Sequence, residues 1–450
     1  MLSRRAFLSM AAASALAPPA LSERATGQAG RTRVEGAIDA ARLRNRLERL
    51  SYHGRPSAGG FGDGVSWVAY SVADLTARAW LIDEMKQAEI APRIDAAGNI
   101  YARFGGQPNQ PAILFGSHID SVPNGGNFDG DLGTFAALEV IQAVQAAKIQ
   151  TRHPLEMVLW AHEESTAFGI GTAASRIVAG DLKPGDMDKV WNGMRRSDAI
   201  RRIAGDPDKI ETAVRGKGAW HSYIELHIEQ GGTLDKAKVP IGIVEGIVAI
   251  HRYDVVIEGF ANHAGTTPMA ERQDAFVAAS QLTLAVRDIA TSRQGRQVGT
   301  VGRIEVEPNS PNVIPGRVTM SVEFRDLSEQ TLRELGEAVK ARGAAIATST
   351  RTTMTFTLAS TNPSAPATKG VQDAIGQSAD ALGLKTMRLP SGAGHDAQQI
   401  AALCPMGMIF VPSIGGISHS PRELTTWEDC ARGANVLLGA VLQLDGRDSI

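Results

Sequence analysis

Seven residues have types that could work together as a reaction centre: His118, Asp120, Asp129, Glu163, Glu164, His227 and His419. Imidazole and carboxylate arriving from separate parts of a chain are the ligands expected for zinc or a similar divalent cation. The stretch GSHIDSVPNGGNFDGDLG, residues 116–133, sets one histidine and three aspartates among five glycines. Glycine loses more backbone entropy on folding than any other residue, so such a loop is seldom kept for packing alone. Strand geometry carried through Ile113-Leu114-Phe115 puts His118 and Asp120 on one side, where Asp120 could orient the imidazole. The pair Glu163-Glu164 follows the apolar run LEMVLWA, His227 sits in SYIELHIEQGG and His419 in GGISHSP. Each has a plainer reading alone: a solvated strand end, Asp-Gly turn chemistry, a satisfied histidine. Their joint placement at strand ends and glycines, where an α/β sheet keeps its site, favours the metal.

Elements able to position these residues follow from periodicity. Leu43, Leu47 and Leu50 repeat at helical spacing, and an amphipathic stretch runs from about 75 to 89. Strand-like runs at 112–116 and 155–160 flank a helix over 134–148. That alternation predicts an α/β fold with a mainly parallel sheet. Residues 247–358 read differently, with strands near 255–258 and 318–324 and helices near 274–290 and 328–342. They predict a smaller α+β domain inserted into a catalytic domain of 36–246 and 359–450, with a linker at STNPSAPATKG, 360–370.

In VTMSVEFRD the apolar Val318, Met320, Val322 and Phe324 alternate with polar residues, so Arg325 ends the polar face of a strand. A guanidinium there suits bidentate capture of an α-carboxylate. Gln230 and Asn312 are further candidate contacts to substrate, and the Gly392-Ala393-Gly394 backbone lets an anion approach closely.

The motifs GSHIDSVPNGGNFDGDLG, AHEESTAFG, ELHIEQGG, NHAGTTPM, PNVIPG, EFRD, SGAGHDA and SHSPRE occur in this order. Together the chain resembles peptidase-family M20 amidohydrolases of the N-carbamoyl-L-amino acid hydrolase, β-ureidopropionase and allantoate amidohydrolase branch. The resemblance implies two divalent metal ions bridged by Asp129, with His118 and His227 completing one and Glu164 and His419 the other. It implies zinc most readily, with manganese, cobalt or nickel open. Glu163 becomes the general base, and the histidine at 227, where related peptidases usually carry aspartate, points to the carbamoyl and amide branch. His263 in NHAGTTPM is the candidate oxyanion donor. The inserted domain of such enzymes commonly joins two subunits, so the resemblance also implies a homodimer in which His263 enters the partner's site. The expected reaction is hydrolysis of an N-carbamoyl-L-amino acid; allantoate and N-acyl-amino acids are alternatives. An inactive binding protein is a further alternative, although no ligand and no base is missing.

Composition narrows the partners. A formal charge of −2, with cations scattered, offers no basic face for nucleic acid and suits a small-molecule substrate. Paired arginines, a short apolar run and small residues within 1–22 resemble a twin-arginine signal and predict a periplasmic or secreted protein without a membrane anchor. Cys404 and Cys430 permit one disulfide without requiring it.

Overall fold

The computed structural model describes residues 37–450. The candidate signal at 1–22 lies outside the described residues.

A nine-stranded mixed sheet forms the larger region. Its centre is four parallel strands in the order Leu155–Trp160, Ala112–His118, Trp220–Ile228 and Met406–Val411. All but one residue of these strands is buried, which is why they read as continuous apolar runs. Antiparallel strands Ile100–Phe104 and Pro92–Ile94 extend one side. On the other, Met406–Val411 pairs antiparallel with Ile241–Ile247, so a strand late in the sequence lies between two earlier ones.

Helices Asp131–Ala146 and Trp427–Asp445 pack together against the central strands, and Trp427–Asp445 also packs against Lys369–Ala381. Ala40–Leu50 buries Leu43, Leu47 and Leu50 against the first two. A separate core around Trp160, Tyr223, Ile400 and Leu403 fills out the sheet's packing.

The smaller region is a four-stranded antiparallel sheet in the order Val298–Glu307, Arg317–Asp326, Ala249–Glu258 and Thr353–Asn362. Ala275–Thr291 and Glu329–Thr350 pack against it through a core of its own that includes Val255, Leu282, Val322, Phe324 and Leu335. Along Arg317–Asp326 the buried residues alternate as the sequence pattern requires. Residues 360–370 do not form the expected loose linker. Ser360 to Asn362 end the strand Thr353–Asn362, Ala365–Pro366 pairs with Ile241–Ile247, and Lys369 starts a helix. The backbone hydrogen bonds of these pairings outweigh the turn-forming tendency of the Pro/Ser-rich composition. Both thiols, Cys404 and Cys430, are free and buried.

Candidate functional site

Parallel strands bring their carboxyl ends to one edge, and there four separate segments meet. His118 is the last residue of its strand, and Glu163 and Glu164 follow Trp160. His227 is next to last in its strand, and His419 lies in the loop after Val411.

Asp129 stands at the centre. Its Oδ1 lies 3.1 Å from His227 Nε2 and 3.7 Å from His118 Nε2, and its Oδ2 lies 3.3 Å from His419 Nε2. His419 Nε2 is also 3.3 Å from Glu164 Oε1. Two potential ligand groups result, His118-Asp129-His227 and Asp129-Glu164-His419, with Asp129 common to both. The donor atoms are prepared for a cation. His118 Nδ1 lies 3.0 Å from the Asp120 carbonyl and His227 Nδ1 lies 2.9 Å from the Ile228 carbonyl. Those contacts place the proton on Nδ1 and leave the Nε2 lone pairs facing Asp129. The buried Nε2 of His227 has no hydrogen-bond partner among the described residues.

Charge in the pocket is unbalanced in the same sense. Burial raises the Glu163 carboxyl well above the usual range, and Glu164, Asp396, Asp120 and Asp129 push it further. Burial also opposes ionisation of Asp129, yet His227, His419 and His118 hold it well below the ordinary value. Hydrogen bonds to Asp129 and Glu164 draw His419 up to about 10. Against the effect of burial, Asp129 also favours a second proton, on Nε2 of His227, and draws that histidine up to about 9; a bound cation would displace this proton. Acids that pull this strongly on their neighbours present the electrostatic demand that a divalent cation satisfies.

Asp120 departs from expectation. Its carboxylate does not orient His118, since Oδ1 is 3.9 Å from Nδ1 and the ring is held by the main-chain carbonyl of Asp120. The carboxylate turns the other way and accepts hydrogen bonds from the backbone of Glu163 at 3.0 Å and Glu164 at 3.1 Å. Buried amide donors without other partners are a stronger pull than an imidazole already satisfied by a carbonyl.

The site opens into a cavity of about 610 Å³ that Arg325, Gln230, Ala393 and Gly394 also line. Arg325 is set by hydrogen bonds from Nε to Glu323 and from Nη1 to the Gly392 carbonyl, each 2.7 Å. Gly392 therefore holds the arginine and does not itself line the cavity. Gln230 donates from Nε2 to Asp129 Oδ2 at 2.7 Å, so it touches the centre directly.

His263 and Asn312 do not line this cavity. They sit together on the smaller region, where Ala264 donates to the Asn312 carbonyl and His263 bridges to Val313. His263 is exposed, and its Nδ1 accepts from the backbone of Gly265 at 3.0 Å and Thr266 at 3.1 Å. Nε2 then carries the proton and faces outward as a donor.

Several residues were not singled out from sequence. Glu423 accepts from the backbone of Phe128 and Asp129, and the single hydroxyl of Ser418 sits within hydrogen-bond reach of both Glu423 Oε2 and Asp129 Oδ2. The loops that carry Asp129 and His419 are thereby tied together. A Cβ at Gly126 would fall 2.1 Å from Glu423 Oε1, which fixes glycine at that position. Buried His395 places its ring 4.5 Å from that of His227, and Glu225 completes a third group with these two histidines. All four lie inside recognised motifs, SHSPRE, SGAGHDA and ELHIEQGG, which is the only signal that could have found them.

The family model described as Peptidase family M20/M25/M40 matches residues 114–443. The chain is 38% identical over 409 residues to N-carbamoyl-L-amino acid amidohydrolase of Geobacillus stearothermophilus, covering 90% of this chain and 99% of that one. It is 32% identical to allantoate amidohydrolase of Escherichia coli, covering 88% of this chain and 96% of that one. Its fold is similar to the crystal structure of an amidase of the hydantoinase/carbamoylase family from Burkholderia multivorans, with a TM-score of 0.85 at 32% identity over 92% of this chain and 99% of that one.

The expected periplasmic or secreted location is corrected by these matches. The two amidohydrolases are covered over 99% and 96% of their own length by about nine-tenths of this chain, and the matches lend no support to an export signal. No helix among the described residues is long and apolar enough to cross a membrane.

Shared sequence, shared fold and a paired ligand set around one aspartate lead to the same conclusion: the chain belongs to peptidase family M20/M25/M40, whose peptidases are dinuclear metal enzymes, and is a hydrolase acting on C–N amide bonds.

Proposed function

We propose that the enzyme hydrolyses the carbamoyl C–N bond of N-carbamoyl-L-amino acids, consuming one water and releasing the L-amino acid, CO2 and NH3. The observation that carries this reading is a single cavity holding both the acid-histidine cluster and Arg325. A substrate with a ureido group at one end and an α-carboxylate at the other meets a partner at each end. Kinship with the Geobacillus enzyme supports the same substrate class.

His118, Asp129 and His227 would hold one divalent ion and Asp129, Glu164 and His419 a second, zinc in our reading, with manganese, cobalt or nickel suited to the same donors. When bound, such a pair lowers the pKa of a water and polarises a carbonyl. Glu163 takes the proton from the attacking water and returns it to the departing nitrogen, acting as base and then as acid. Asp120 positions Glu163 and Glu164 through their backbone. Arg325 grips the α-carboxylate through its fork, Ala393 and Gly394 close the same end, and Gln230 contacts substrate beside Asp129.

The oxyanion donor comes from a second subunit. His263 and Asn312 stand outside their own chain's cavity, with the His263 Nε2 proton facing outward. Residues 247–358 form the joining domain of a homodimer. Among the described residues, eight of the fourteen exposed large apolar side chains, from Phe260 to Leu358, fall in this segment, more than its share of them. Exposed apolar surface favours association where it forms a patch.

A second reading, allantoate hydrolysis, is favoured by the match to the Escherichia coli enzyme, since a bis-ureido acid would use the same two ends of the cavity. Metal-loaded protein assayed for both ammonia release and free amino acid release against N-carbamoyl-L-amino acids, allantoate and N-acetyl-L-amino acids decides between them, since acetyl substrates release amino acid and acetate without ammonia. The highest kcat/KM is expected for a carbamoyl substrate. Preference for allantoate or for an acetyl substrate overturns the leading assignment.

A further inference from the structure

A second cavity, of about 500 Å³, opens at the other end of the large sheet. Arg93 and Arg103 reach it from the antiparallel strands Pro92–Ile94 and Ile100–Phe104, and Arg215 from the segment before Trp220. Glu156 and Trp220 contribute from the amino ends of their strands, whereas Glu163 and His227 belong to the carboxyl ends of the same two. At about 3.3 Å per residue, the run from Glu156 to Trp160 alone places roughly 13 Å between this cavity and the acid-histidine cluster.

The lining carries three guanidinium groups against one carboxylate. That carboxylate is already engaged, since Glu156 Oε2 accepts from Trp220 Nε1 at 2.9 Å. Arg93 and Arg103 approach Glu156 Oε1 only to 3.7 and 3.9 Å, and neither guanidinium makes a hydrogen bond among the described residues. Arg93 lies over the Tyr101 ring, 4.5 Å from its centroid, which fixes the direction of its fork. Tyr101 lines the cavity and is 1% exposed, and its buried hydroxyl has no hydrogen-bond partner among the described residues. Beyond their long contacts to Glu156, the half-exposed guanidinium forks of Arg93 and Arg103 have only water as partner. One concave space with positive charge in excess and forks free to make charge-assisted hydrogen bonds suits an anion.

We propose that this cavity is a second binding site, separate from the hydrolytic centre, for a small organic anion carrying two negative charges on carboxylate or phosphate oxygens. Arg93 and Arg103 bind its oxygens through their forks, and Arg215, whose Nη1 already donates to the Thr212 and Val214 carbonyls, adds charge. The flat faces of Tyr101 and Trp220 bound the space and admit a ligand with a short carbon skeleton.

The test is isothermal titration of the metal-loaded enzyme with succinate and, separately, with glycerol 3-phosphate. Because Arg325 also recognises carboxylates in our reading of the catalytic cavity, Arg325→Ala serves as the control. One-to-one binding of at least one probe is expected in the parent enzyme and in Arg325→Ala, with dissociation constants within about threefold of each other. The double variant Arg93→Ala/Arg103→Ala should bind at least about tenfold more weakly, as loss of charge-assisted hydrogen bonds requires. Both side chains are about half exposed, so their removal leaves the fold intact, as an unchanged Tm will report. Which probe binds tells carboxylate from phosphate. Absence of binding by both probes at about 10 mM, weaker than the millimolar range, overturns the site. Binding that Arg325→Ala abolishes and Arg93→Ala/Arg103→Ala leaves unchanged overturns it equally.

Discussion

The two sheets handle their polar residues in opposite ways. In the nine-stranded sheet the central parallel strands are buried on both faces, and the groups at their carboxyl ends, His118, Asp129, Glu164 and His227, are buried as well. In the four-stranded sheet one face packs on two helices while the strands Val298–Glu307 and Thr353–Asn362 stay largely exposed, and His263 and Asn312 occupy exposed turns. The acid-histidine cluster is thus set where water is scarce and backbone is rigid, whereas His263 and Asn312 are set on exposed segments, where, in our reading, they reach a partner subunit. Arg325 stands between these conditions, on a strand of the smaller sheet but anchored to Gly392 of the larger region.

If the buried cluster is the reaction centre, the largest losses come from within it. Asp129→Ala should abolish turnover and reduce bound metal to near zero, whereas Glu163→Gln should keep its metal and lose a factor of about 10²–10⁴ in kcat. Elemental analysis beside kinetics checks both, and metal loss in Glu163→Gln with retention in Asp129→Ala would exchange the two roles. The exposed region is tested next, by mixing. Glu163→Gln and His263→Ala are each expected to be inactive alone, yet dimers containing one of each should regain activity, because one site then has a sound Glu163 and a sound partner His263. No recovery in mixed dimers demonstrated by tagged pull-down would place His263 in its own chain's site or in neither.

Smaller effects follow at the boundary and beneath the centre. Arg325→Lys should raise KM by about tenfold with a lesser change in kcat, since an ammonium replaces a planar fork. An α-carboxamide substrate hydrolysed as well as the acid would remove that role from Arg325. Ser418→Ala removes the one hydroxyl that lies between Asp129 and Glu423, and should weaken metal affinity by about tenfold, measured by competition with a chelator. Unchanged affinity would reduce the tie between the two loops to packing.

The sequence is legible where periodicity and chemistry coincide. The strand 155–160 ends where its apolar run ends, and alternation through Val318, Met320, Val322 and Phe324 places Arg325 correctly at a strand end. The metal-ligand candidates converge because the segments that carry them end, or leave, neighbouring parallel strands at one edge of the sheet. What escaped depends on direction within a loop. Asp120 could face His118 or the backbone after Trp160, and which it chooses is decided by unpaired amides brought near only in three dimensions. Glu423 was invisible for a related reason, since its partners Phe128 and Asp129 lie almost three hundred residues earlier. Pro and Ser at 363–366 signalled a linker because composition does not reveal that Ala365 pairs with Ile247.

The position of Met406–Val411 has a consequence for how the molecule comes into being. This strand is made after the whole smaller region, yet it lies between Trp220–Ile228 and Ile241–Ile247. A nascent chain therefore exposes two unfilled sheet edges while nearly 160 further residues are synthesised, and loop closure on that scale is slow and open to misassembly. Only once that strand has entered does the following loop deliver His419 to Asp129. The ligand set proposed here is consequently complete only late in biogenesis, and a chain clipped anywhere before residue 406 would lack both a central strand and His419.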